Sequence, residues 1–539
     1  MSADNPGYNG SVWTVEETEP KRQNPPSNCE EALAATGYGL FNVLLLLAAL
    51  PIAWTCIIDT TSTAFIINSA ECTFELTMFR RGIAVSAIYI GMIIAGPLWD
   101  FYLQDCVIGY LGRKNVMMIG IFLDAICNLL WVHTTSFYAF IALKFVSGVL
   151  IAGPLSVVMA YLAEFHAPAY QAKFARWAGL LVMASNIVPA ALAATLLLRT
   201  PWFHFTIYSR FYPTWQVYLL ICAIPSVLGL FTVCLMPKSP KFLMAQGKSD
   251  KALRLFRTMY RLNNFKSASQ YPITELTLPE KANKGKTNSA CRDKLRDSIV
   301  KLKELFSKPH LKNISILVWL QFACMIGFNV SRLWVPPLFV MMNNFRVHVR
   351  QFYPADEYIT MCEMIFPRLK IDYASCNYTL PSLESAVYVN STSIASSAVG
   401  FGFLFLLLSD TRIKKIVVMV FTFLLSAAGA FGANWAVEIP YMLVLVAFVI
   451  VASRITGNTV MAYNAQVLPP LLRPTAVNVL NFVGNLGAAA GNLAFSLIIG
   501  IDCLSALLAL GCISMVSTLV PIFLISQSKK KVKPGIERY

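Results

Sequence analysis

Five ionisable side chains stand inside long apolar runs of this 539-residue chain, and these side chains are the best suited to chemistry. They are Asp59, Asp124, Lys144, Arg332 and Arg454. A charge within a hydrocarbon-spanning segment costs roughly 2.5–3.5 kcal/mol on insertion scales, so its default role is to bind a charged solute, exchange a proton or pair with another charge. The chain shows no nucleophile motif, phosphate loop or Cys/His cluster, so we expect no enzyme, cofactor or metal.

The apolar runs must position these residues, and they define the fold class. Hydrophobic residues make up 56% of the chain and charged residues only 13%, against about 25% charged in soluble proteins. Each run is long enough to cross about 30 Å of hydrocarbon as a helix, and strands of alternating polarity are absent. We therefore predict an all-α polytopic membrane protein of about 12 transmembrane helices. The predicted spans are 40–67, 82–103, 115–135, 138–160, 177–198, 215–236, 314–342, 386–408, 416–437, 440–463, 475–500 and 502–526.

A long polar interval after the sixth run divides the chain into two six-helix halves. The predicted segments are an N-terminal tail (1–38), a first half (39–236), a central loop (237–312), a second half (313–526) with an external loop (343–385), and a C-terminal tail (527–539). In the central loop, the sequence from Ser249 to Arg257 predicts a helix capped by Ser249 or Asp250. The stretch from Lys281 to Asn288, rich in Lys, is predicted to be mobile.

The basic residues orient the bundle. Of the 44 Lys and Arg residues, 18 fall between Pro237 and Lys312, and others flank the apolar runs, which is typical of cytoplasmic loops. We therefore expect both termini and the central loop in the cytoplasm. The same distribution accounts for the formal charge of +16 without nucleic acid. The expected partners are the lipid bilayer and a small-molecule solute, with a coupling proton as a further candidate and protein partners unknown.

The external loop carries features of an oxidising compartment. Asn377 begins the sequon Asn-Tyr-Thr and is the predicted glycosylation site. Cys362 and Cys376 lie in the same loop, whereas most other cysteines are inside spans, so we predict a disulfide between these two. Cys72 remains a rival partner on the same side of the membrane.

The loops between spans resemble motifs of the major facilitator superfamily. Between spans 8 and 9, Asp410, Lys414 and Lys415 are similar to the acidic–basic loop Asp-Arg-x-Gly-Arg-Arg of that family. The first-half copy keeps its basic end, and the Asp position is taken by Gly109; the retained residues are Gly112, Arg113 and Lys114. A carboxylate in such a loop can cap a helix and pair with cations across the bundle, which stabilises one conformation.

Two further motifs resemble the sugar and organic-ion carriers. The motif Glu-x-x-Pro-x-x-x-Arg has a similar sequence after span 4, with Glu164 and Pro168, and another after span 10, with Pro469 and Arg473. In the first copy Gln171 replaces the Arg, and in the second copy Gln466 replaces the acid. The segment 237–243, Pro-Lys-Ser-Pro-Lys-Phe-Leu, resembles Pro-Glu-Ser-Pro-Arg-Trp-Leu with Lys238 in place of Glu. This last match is the most specific of the set.

A narrower resemblance is to the synaptic vesicle glycoprotein 2 group and its insect relatives. It rests on the sequences Cys29–Leu33, Gly37–Gly39, Ser69–Cys72, Gly96–Trp99 and Phe145–Gly148, and on Trp177. The similarity covers most of the chain but is patchy in the second half. Where the group has Trp-Asn-Ala-Leu-Asp in span 10, this chain reads Gly-Asn-Thr-Val-Met from Gly457 to Met461. The ligand chemistry of that group is therefore not carried over.

The resemblance implies a major facilitator fold in which spans 1, 4, 7 and 10 face a central cavity. Asp59 is then the leading substrate- or proton-binding acid, and Arg454 is a cavity candidate. Lys144 stands where relatives carry Arg, and it is equally expected to pair with Asp59 or Asp124. Asp124 is expected to be a buried, hydrogen-bonded or protonated group. Arg332 lies two residues before Trp334, which favours snorkelling to the outer interface.

The function implied by the family resemblance is alternating-access transport of a small organic solute, with organic ions among the candidates. The alternative is a transport-inactive interaction protein of the plasma membrane or a vesicle membrane that retains the fold. The altered loop positions Gly109, Gln171, Lys238 and Gln466 favour that alternative.

Overall fold

The computed structural model describes residues 27–99, 111–197, 205–207, 210–277, 288–354, 359–367, 386–408 and 412–524. Asp410 and Asn377 lie outside these residues, as does most of the segment predicted to be mobile. The described chain is a helical bundle, as predicted. Eleven helical segments of the described chain are long and apolar enough to cross a membrane, and two of these segments are each divided into two helices. A further 23-residue helix, Ala386–Leu408, occupies the place of predicted span 8.

The first half comprises spans 1 to 6 and short connecting helices. Its helices are α1 (Cys29–Ala35), α2 (Leu40–Ile66), α3 (Glu71–Phe74), α4 (Met78–Pro97), α5 (Arg113–Val132), α6 (Phe137–Ala163), α7 (Pro168–Ala184), α8 (Ile187–Leu196), α9 (Thr214–Cys222) and α10 (Ile224–Leu235). A two-stranded antiparallel ribbon, β1 (Phe205–Ile207) and β2 (Arg210–Tyr212), lies between α8 and α9.

The central segment and the second half follow. Their helices are α11 (Pro240–Ala245), α12 (Ser249–Asn264), α13 (Asn288–Leu305), α14 (Leu311–Asn344), α15 (Met361–Ile365), α16 (Ala386–Leu408), α17 (Arg412–Gly432), α18 (Ile439–Val467), α19 (Arg473–Ile501) and α20 (Cys503–Leu519). The helix expected near Ser249 is present and extends to Asn264, but its N-cap is Lys248 and not Ser249 or Asp250, because Ser249 is already the first helical residue. The helix α13 was not predicted. Successive spans run in opposite directions. We call the end of the bundle where α2 begins the N-terminal face, and the opposite end the far face.

Two of the predicted spans are each broken into two helices. Span 5 is divided into α7 and α8 at Ser185 and Asn186, and span 6 into α9 and α10 at Ala223. Pro189 and Pro225 have no N–H for the preceding helical turn, so the helix is interrupted on their N-terminal side. At the first break, the Ser185 hydroxyl donates to Val182 O (2.6 Å), a carbonyl that also accepts from the Ser185 backbone N–H (3.2 Å). The break makes Asn186 the N-cap residue of α8, at the junction between the two helices.

The N-terminal residues dock onto the central segment. The Asn263 side chain at the end of α12 accepts a hydrogen bond from the Phe41 N–H (3.0 Å) and donates to Gly37 O (3.1 Å). The Tyr271 hydroxyl donates to Ala32 O (2.6 Å) in α1. Burial raises the pKa of the Tyr271 hydroxyl, so this donor stays protonated. Residues 27–38 are thus fixed against the start of α2.

Glycines set the closest helix approach in the first half. A Cβ on Gly148 of α6 would lie 2.0 Å from Ile88 O of α4, and a Cβ on Gly91 of α4 would lie 2.2 Å from Phe145 O of α6. Neither backbone can tolerate a side chain at that distance. Reciprocal glycines therefore allow α4 and α6 to pack with their backbones in contact, as small residues do in membrane bundles.

Direct contacts join the two halves between mid-bundle and the far face. Ser86 Oγ of α4 donates to Ala489 O of α19 (3.3 Å), and Asn68 Nδ2 donates to Pro337 O of α14 (3.3 Å). The rings of Phe65 and Tyr388 lie 6.2 Å apart across the same boundary. We call this set of contacts the far-face seam. It joins the two halves on the far-face side of the bundle.

The disulfide prediction was wrong. Cys362 in α15 is bonded to Cys503 at the start of α20, with 5.6 Å between their Cα atoms. Cys376, the predicted partner, lies outside the described residues. The error arose because Cys503 begins an apolar run and was counted as a residue within a span, although that end of α20 lies at the far face beside α15. Neither Cys376 nor Cys72 is bonded to Cys362.

Candidate functional site

A cavity with an empty volume of about 600 Å³ lies at mid-bundle between the two halves. The first half contributes α2, the α7–α8 break and α8, and the second half contributes α14, α16 and α18. Its lining residues are Thr61, Phe65, Met183, Asn186, Ala190, Phe328, Arg332, Val335, Pro336, Ser391, Ile394, Ala395, Ala398, Val399, Ile450 and Arg454. The wall is mainly apolar with a few polar groups, which is the usual composition of a small-molecule site.

Arg332 enters this cavity and does not reach the outer interface. Its Nη1 donates to Asn186 Oδ1 (2.9 Å) and its Nη2 donates to the Tyr89 hydroxyl (2.7 Å) and to Asn329 Oδ1 (3.2 Å). The snorkelling prediction was therefore wrong. Its basis was the neighbouring Trp334, which marks no interface because it is buried and packs its ring 5.2 Å from that of Phe495.

Arg332 also joins the two halves. Asn186 and Tyr89 belong to the first half, whereas Arg332 and Asn329 belong to the second. The Tyr89 hydroxyl in turn donates to Asn329 Oδ1 (2.9 Å), which completes a network across the boundary. The cavity wall and the contact between halves therefore share one guanidinium group.

Arg454 of α18 lies on the same side of the cavity. Its guanidinium carbon is 5.1 Å from the centre of the Phe328 ring, and that of Arg332 is 5.0 Å from the same centre. Cation–π contacts at this range hold both groups against the ring. Phe328 thus orients two cations at the wall of one cavity.

The other three ionisable candidates form a separate buried cluster among α2, α5 and α6. Asn128 Nδ2 donates to Asp124 Oδ2 (3.0 Å) and to Asp59 Oδ2 (3.4 Å), and Ser147 Oγ donates to Asp124 Oδ1 (2.6 Å). Asp124 is therefore buried and hydrogen-bonded, as expected. Neither carboxyl is among the cavity-lining residues, although Thr61 and Phe65 of the same helix α2 are.

Lys144 completes the cluster without a direct ion pair to either acid. Its Nζ donates to the Asp59 backbone carbonyl (3.1 Å) and to Ser62 Oγ (3.4 Å). It also lies 3.1 Å from the centre of the Trp131 ring. The cluster therefore contains two carboxyls and one ammonium, and the surplus acidic group can be neutralised by a shared proton.

The first-half loop motifs meet at the N-terminal face. Arg113 Nε pairs with Glu164 Oε1 (2.9 Å), and the other oxygen of Glu164 accepts a short hydrogen bond from Ser239. Lys114 Nζ donates to Cys234 O (2.9 Å). Gly112 precedes α5 with a φ of +82°, a conformation that glycine adopts readily. These contacts join the loops after spans 2, 4 and 6.

The second-half motif residues are less fully described. Arg473 Nε donates to Leu468 O (3.0 Å) at the start of α19. Lys415 is buried, whereas the side chain of Lys414 and all of Asp410 lie outside the described part of the chain. The predicted acidic–basic loop in this half therefore stays a prediction.

Sequence reasoning missed Asn186, Phe328 and Asn329, which hold the two cavity arginines. The two asparagines could have been found from the sequence, because a polar amide within an apolar run needs a hydrogen-bond partner and is a candidate site residue in the same way as a charge. Phe328 had none, because aromatic residues in spans usually pack against neighbouring helices.

The fold and the cavity define a class: a two-half helical membrane carrier with a central site. The family model of the Major Facilitator Superfamily matches residues 32–355, and the chain belongs to that superfamily.

The chain is 24% identical over 257 residues to synaptic vesicle glycoprotein 2B of Rattus norvegicus, covering 48% of this chain and 37% of the relative. It is 26% identical over 200 residues to synaptic vesicle glycoprotein 2A of Homo sapiens, covering 37% of this chain and 26% of the relative. The matches thus span well under two thirds of these relatives. The predicted superfamily and the predicted similarity to the synaptic vesicle glycoprotein 2 group are confirmed.

A solved structure supports the fold over nearly the whole chain. The xylose transporter XylE from E. coli, in a partially occluded inward open conformation, superposes with a TM-score of 0.62 at 14% identity. The superposition covers 90% of this chain and all of that one. At this identity the likeness concerns the fold alone.

Proposed function

We propose that this protein carries a small organic solute across a membrane by alternating access. One observation supports the proposal most: a central cavity lies between two halves that are joined by the far-face seam. A carrier of this type opens its central site to one face at a time by rocking one half against the other. We propose that, with the seam formed, the cavity is open toward the N-terminal face.

The orientation and the membrane are part of the proposal. The basic residues of the central segment and of the loops after spans 2, 4 and 8 support a cytoplasmic N-terminal face. Asn377 and the bonded pair Cys362–Cys503 then face the outside or a vesicle lumen, where disulfides persist. The membrane is the plasma membrane or a vesicle membrane.

The buried cluster is proposed as the proton-coupling element. A single ammonium beside two carboxyls favours a proton on one of the acids, and loss of that proton would leave an uncompensated buried charge. Because α2 carries Asp59 on one side and Thr61 and Phe65 on the cavity side, a change in the cluster can be transmitted to the cavity through one rigid helix.

Locking the seam tests transport. In Ser86→Cys with Ala489→Cys, a mercuric ion should bridge the two thiols, because the serine Oγ lies 3.3 Å from the alanine carbonyl. Uptake from a panel of labelled organic cations, anions, sugars and nucleosides into proteoliposomes should stop on bridging and return when a thiol removes the mercury. Each single cysteine variant is the matched control. Uptake that continues unchanged in the bridged protein would refute alternating access at this seam.

Asp59→Asn tests the coupling role. The substitution keeps the shape of the side chain, leaves Asn128 unchanged and removes one buried acid. We therefore expect normal expression, with the pH dependence of uptake lost or shifted. Normal uptake with an unchanged pH profile would remove Asp59 from the coupling site.

The interaction-protein alternative makes the opposite prediction for flux. It expects a folded protein in which no member of the solute panel is taken up and in which seam bridging changes nothing. The contact among Arg113, Glu164 and Ser239 weighs against this alternative, because the altered loop positions have not removed the ion pair that joins the first-half loops.

A further inference from the structure

The cavity carries positive charge that its own wall does not compensate. Two of its lining residues are arginines, and none of the described residues that line it is Asp or Glu. The hydrogen-bond partners of Arg332 are the uncharged Tyr89, Asn186 and Asn329, and its buried Nε has no partner.

Arg454 likewise has no acidic partner in the described part of the chain. Its guanidinium faces the Phe328 ring, and no described carboxylate forms an ion pair with it. Both guanidinium carbons lie about 5 Å from one ring centre, so they are at most about 10 Å apart. Two like charges at this separation repel each other, and both side chains are partly buried without a neighbouring carboxylate among the described residues.

We infer that the cavity binds an amphipathic organic anion, whose carboxylate lies between Arg332 and Arg454 and whose apolar body lies along the apolar wall. This inference rests on the proposed function and names its substrate class. An anion compensates both cations at once, and a planar guanidinium binds a carboxylate by donating two parallel N–H···O hydrogen bonds to it. The apolar body contacts residues such as Phe65, Val335 and Ile450.

A matched series of probes separates charge from shape. 4-Phenylbutyrate, 4-phenylbutyramide and 4-phenylbutylamine share one apolar body and carry a negative, neutral or positive head. We expect 4-phenylbutyrate alone to raise the melting temperature of the purified full chain, since only a ligand that favours the folded state stabilises it. Equal or larger stabilisation by the amine or the amide would overturn the anion class.

Substitutions locate the site. Arg332→Gln and Arg454→Gln should each raise the Kd for 4-phenylbutyrate by about tenfold or more, which corresponds to at least about 1.4 kcal/mol. Arg454→Lys keeps a cation and should lose less affinity. Arg346→Gln removes an exposed arginine near the far face and should leave the Kd unchanged. Unchanged affinity in both cavity Gln variants would overturn the site, and the melting curves without ligand report whether each variant is folded.

Flux distinguishes this inference from the transport proposal. Binding of 4-phenylbutyrate at the two arginines without its uptake into proteoliposomes supports the anion site and contradicts transport of that anion. Uptake of neutral or cationic solutes by a protein that does not bind 4-phenylbutyrate overturns the anion site and leaves transport standing.

Discussion

Tyr89→Phe is the substitution that most sharply perturbs the contact between the halves. The Tyr89 hydroxyl accepts from Arg332 at 2.7 Å and donates to Asn329 at 2.9 Å, and Phe removes both bonds while keeping the ring. A hydrogen bond to a charged group contributes about 1.5–3 kcal/mol and a neutral one about 0.5–1.5 kcal/mol. If both form only while the seam is closed, the closed state loses about 2–4.5 kcal/mol, which shifts the equilibrium by roughly 30- to 2,000-fold.

The assay is the labelling rate of a thiol buried in the seam. Ser86→Cys serves as the reporter, because Ser86 is fully buried there, and a membrane-impermeant maleimide is applied from the far face. Adding Tyr89→Phe should raise the labelling rate by about 30-fold or more, in line with the shift in population. The protein without the reporter gives the background from native thiols.

Tyr218→Phe is the matched control. It also removes a buried tyrosine hydroxyl, but that hydroxyl donates to Pro189 O (3.0 Å) within the first half. It should therefore leave the labelling rate unchanged even if it lowers stability. A similar increase in both variants, or none in Tyr89→Phe, would refute the assignment of the Tyr89–Arg332 network to the closed state.

Three other outcomes follow from the packing of the bundle. Gly148→Leu should prevent the α4–α6 contact, so that no folded protein is obtained. Gly179→Ala should fold normally, because no neighbouring atom lies within 4 Å of the added Cβ. Size-exclusion profiles report folding in both variants, and a folded Gly148→Leu protein would contradict the close approach of the two backbones. Cys362→Ala should lower the free energy of unfolding by about 2–5 kcal/mol, measured by thermal unfolding. Peptide mapping without reduction should show Cys362 linked to Cys503, and any other partner for Cys362 would refute the pairing. Lys144→Met should lower the free energy of unfolding by about 3–5 kcal/mol, because it leaves the acids of the cluster uncompensated. Adding Asp59→Asn should restore part of the lost stability. A Lys144→Met protein of normal stability would show that the cluster does not need its ammonium group.

The sequence predicted the spans because their length and apolar composition are local properties. The helices α2, α18 and α19 agree with the predicted spans to within a few residues at most ends. The breaks in spans 5 and 6 were missed, although Pro189 and Pro225 were visible, because a proline near one end of an apolar run also fits an unbroken helix.

The site was predicted less well, because it depends on which way each helix faces. Hydropathy marks Asp59 and Arg332 equally as charges inside runs, yet rotation of α2 turns Asp59 toward α5 and α6, and rotation of α14 turns Arg332 into the cavity. Likewise, the disulfide partner of Cys362 depends on the neighbours of α15 at the far face. These are properties of packing between distant segments, and a single sequence does not encode them locally.

Paired distances across the two faces test the rocking of the halves most directly. Spin labels at Glu75→Cys and Val347→Cys report on the far face, and labels at Lys251→Cys and Leu471→Cys report on the N-terminal face; all four side chains are exposed. With the exposed native thiols replaced, Tyr89→Phe should lengthen the far-face distance and shorten the N-terminal-face distance in double electron–electron resonance. Distances that change in the same direction at both faces, or at neither, would contradict alternating access in this protein.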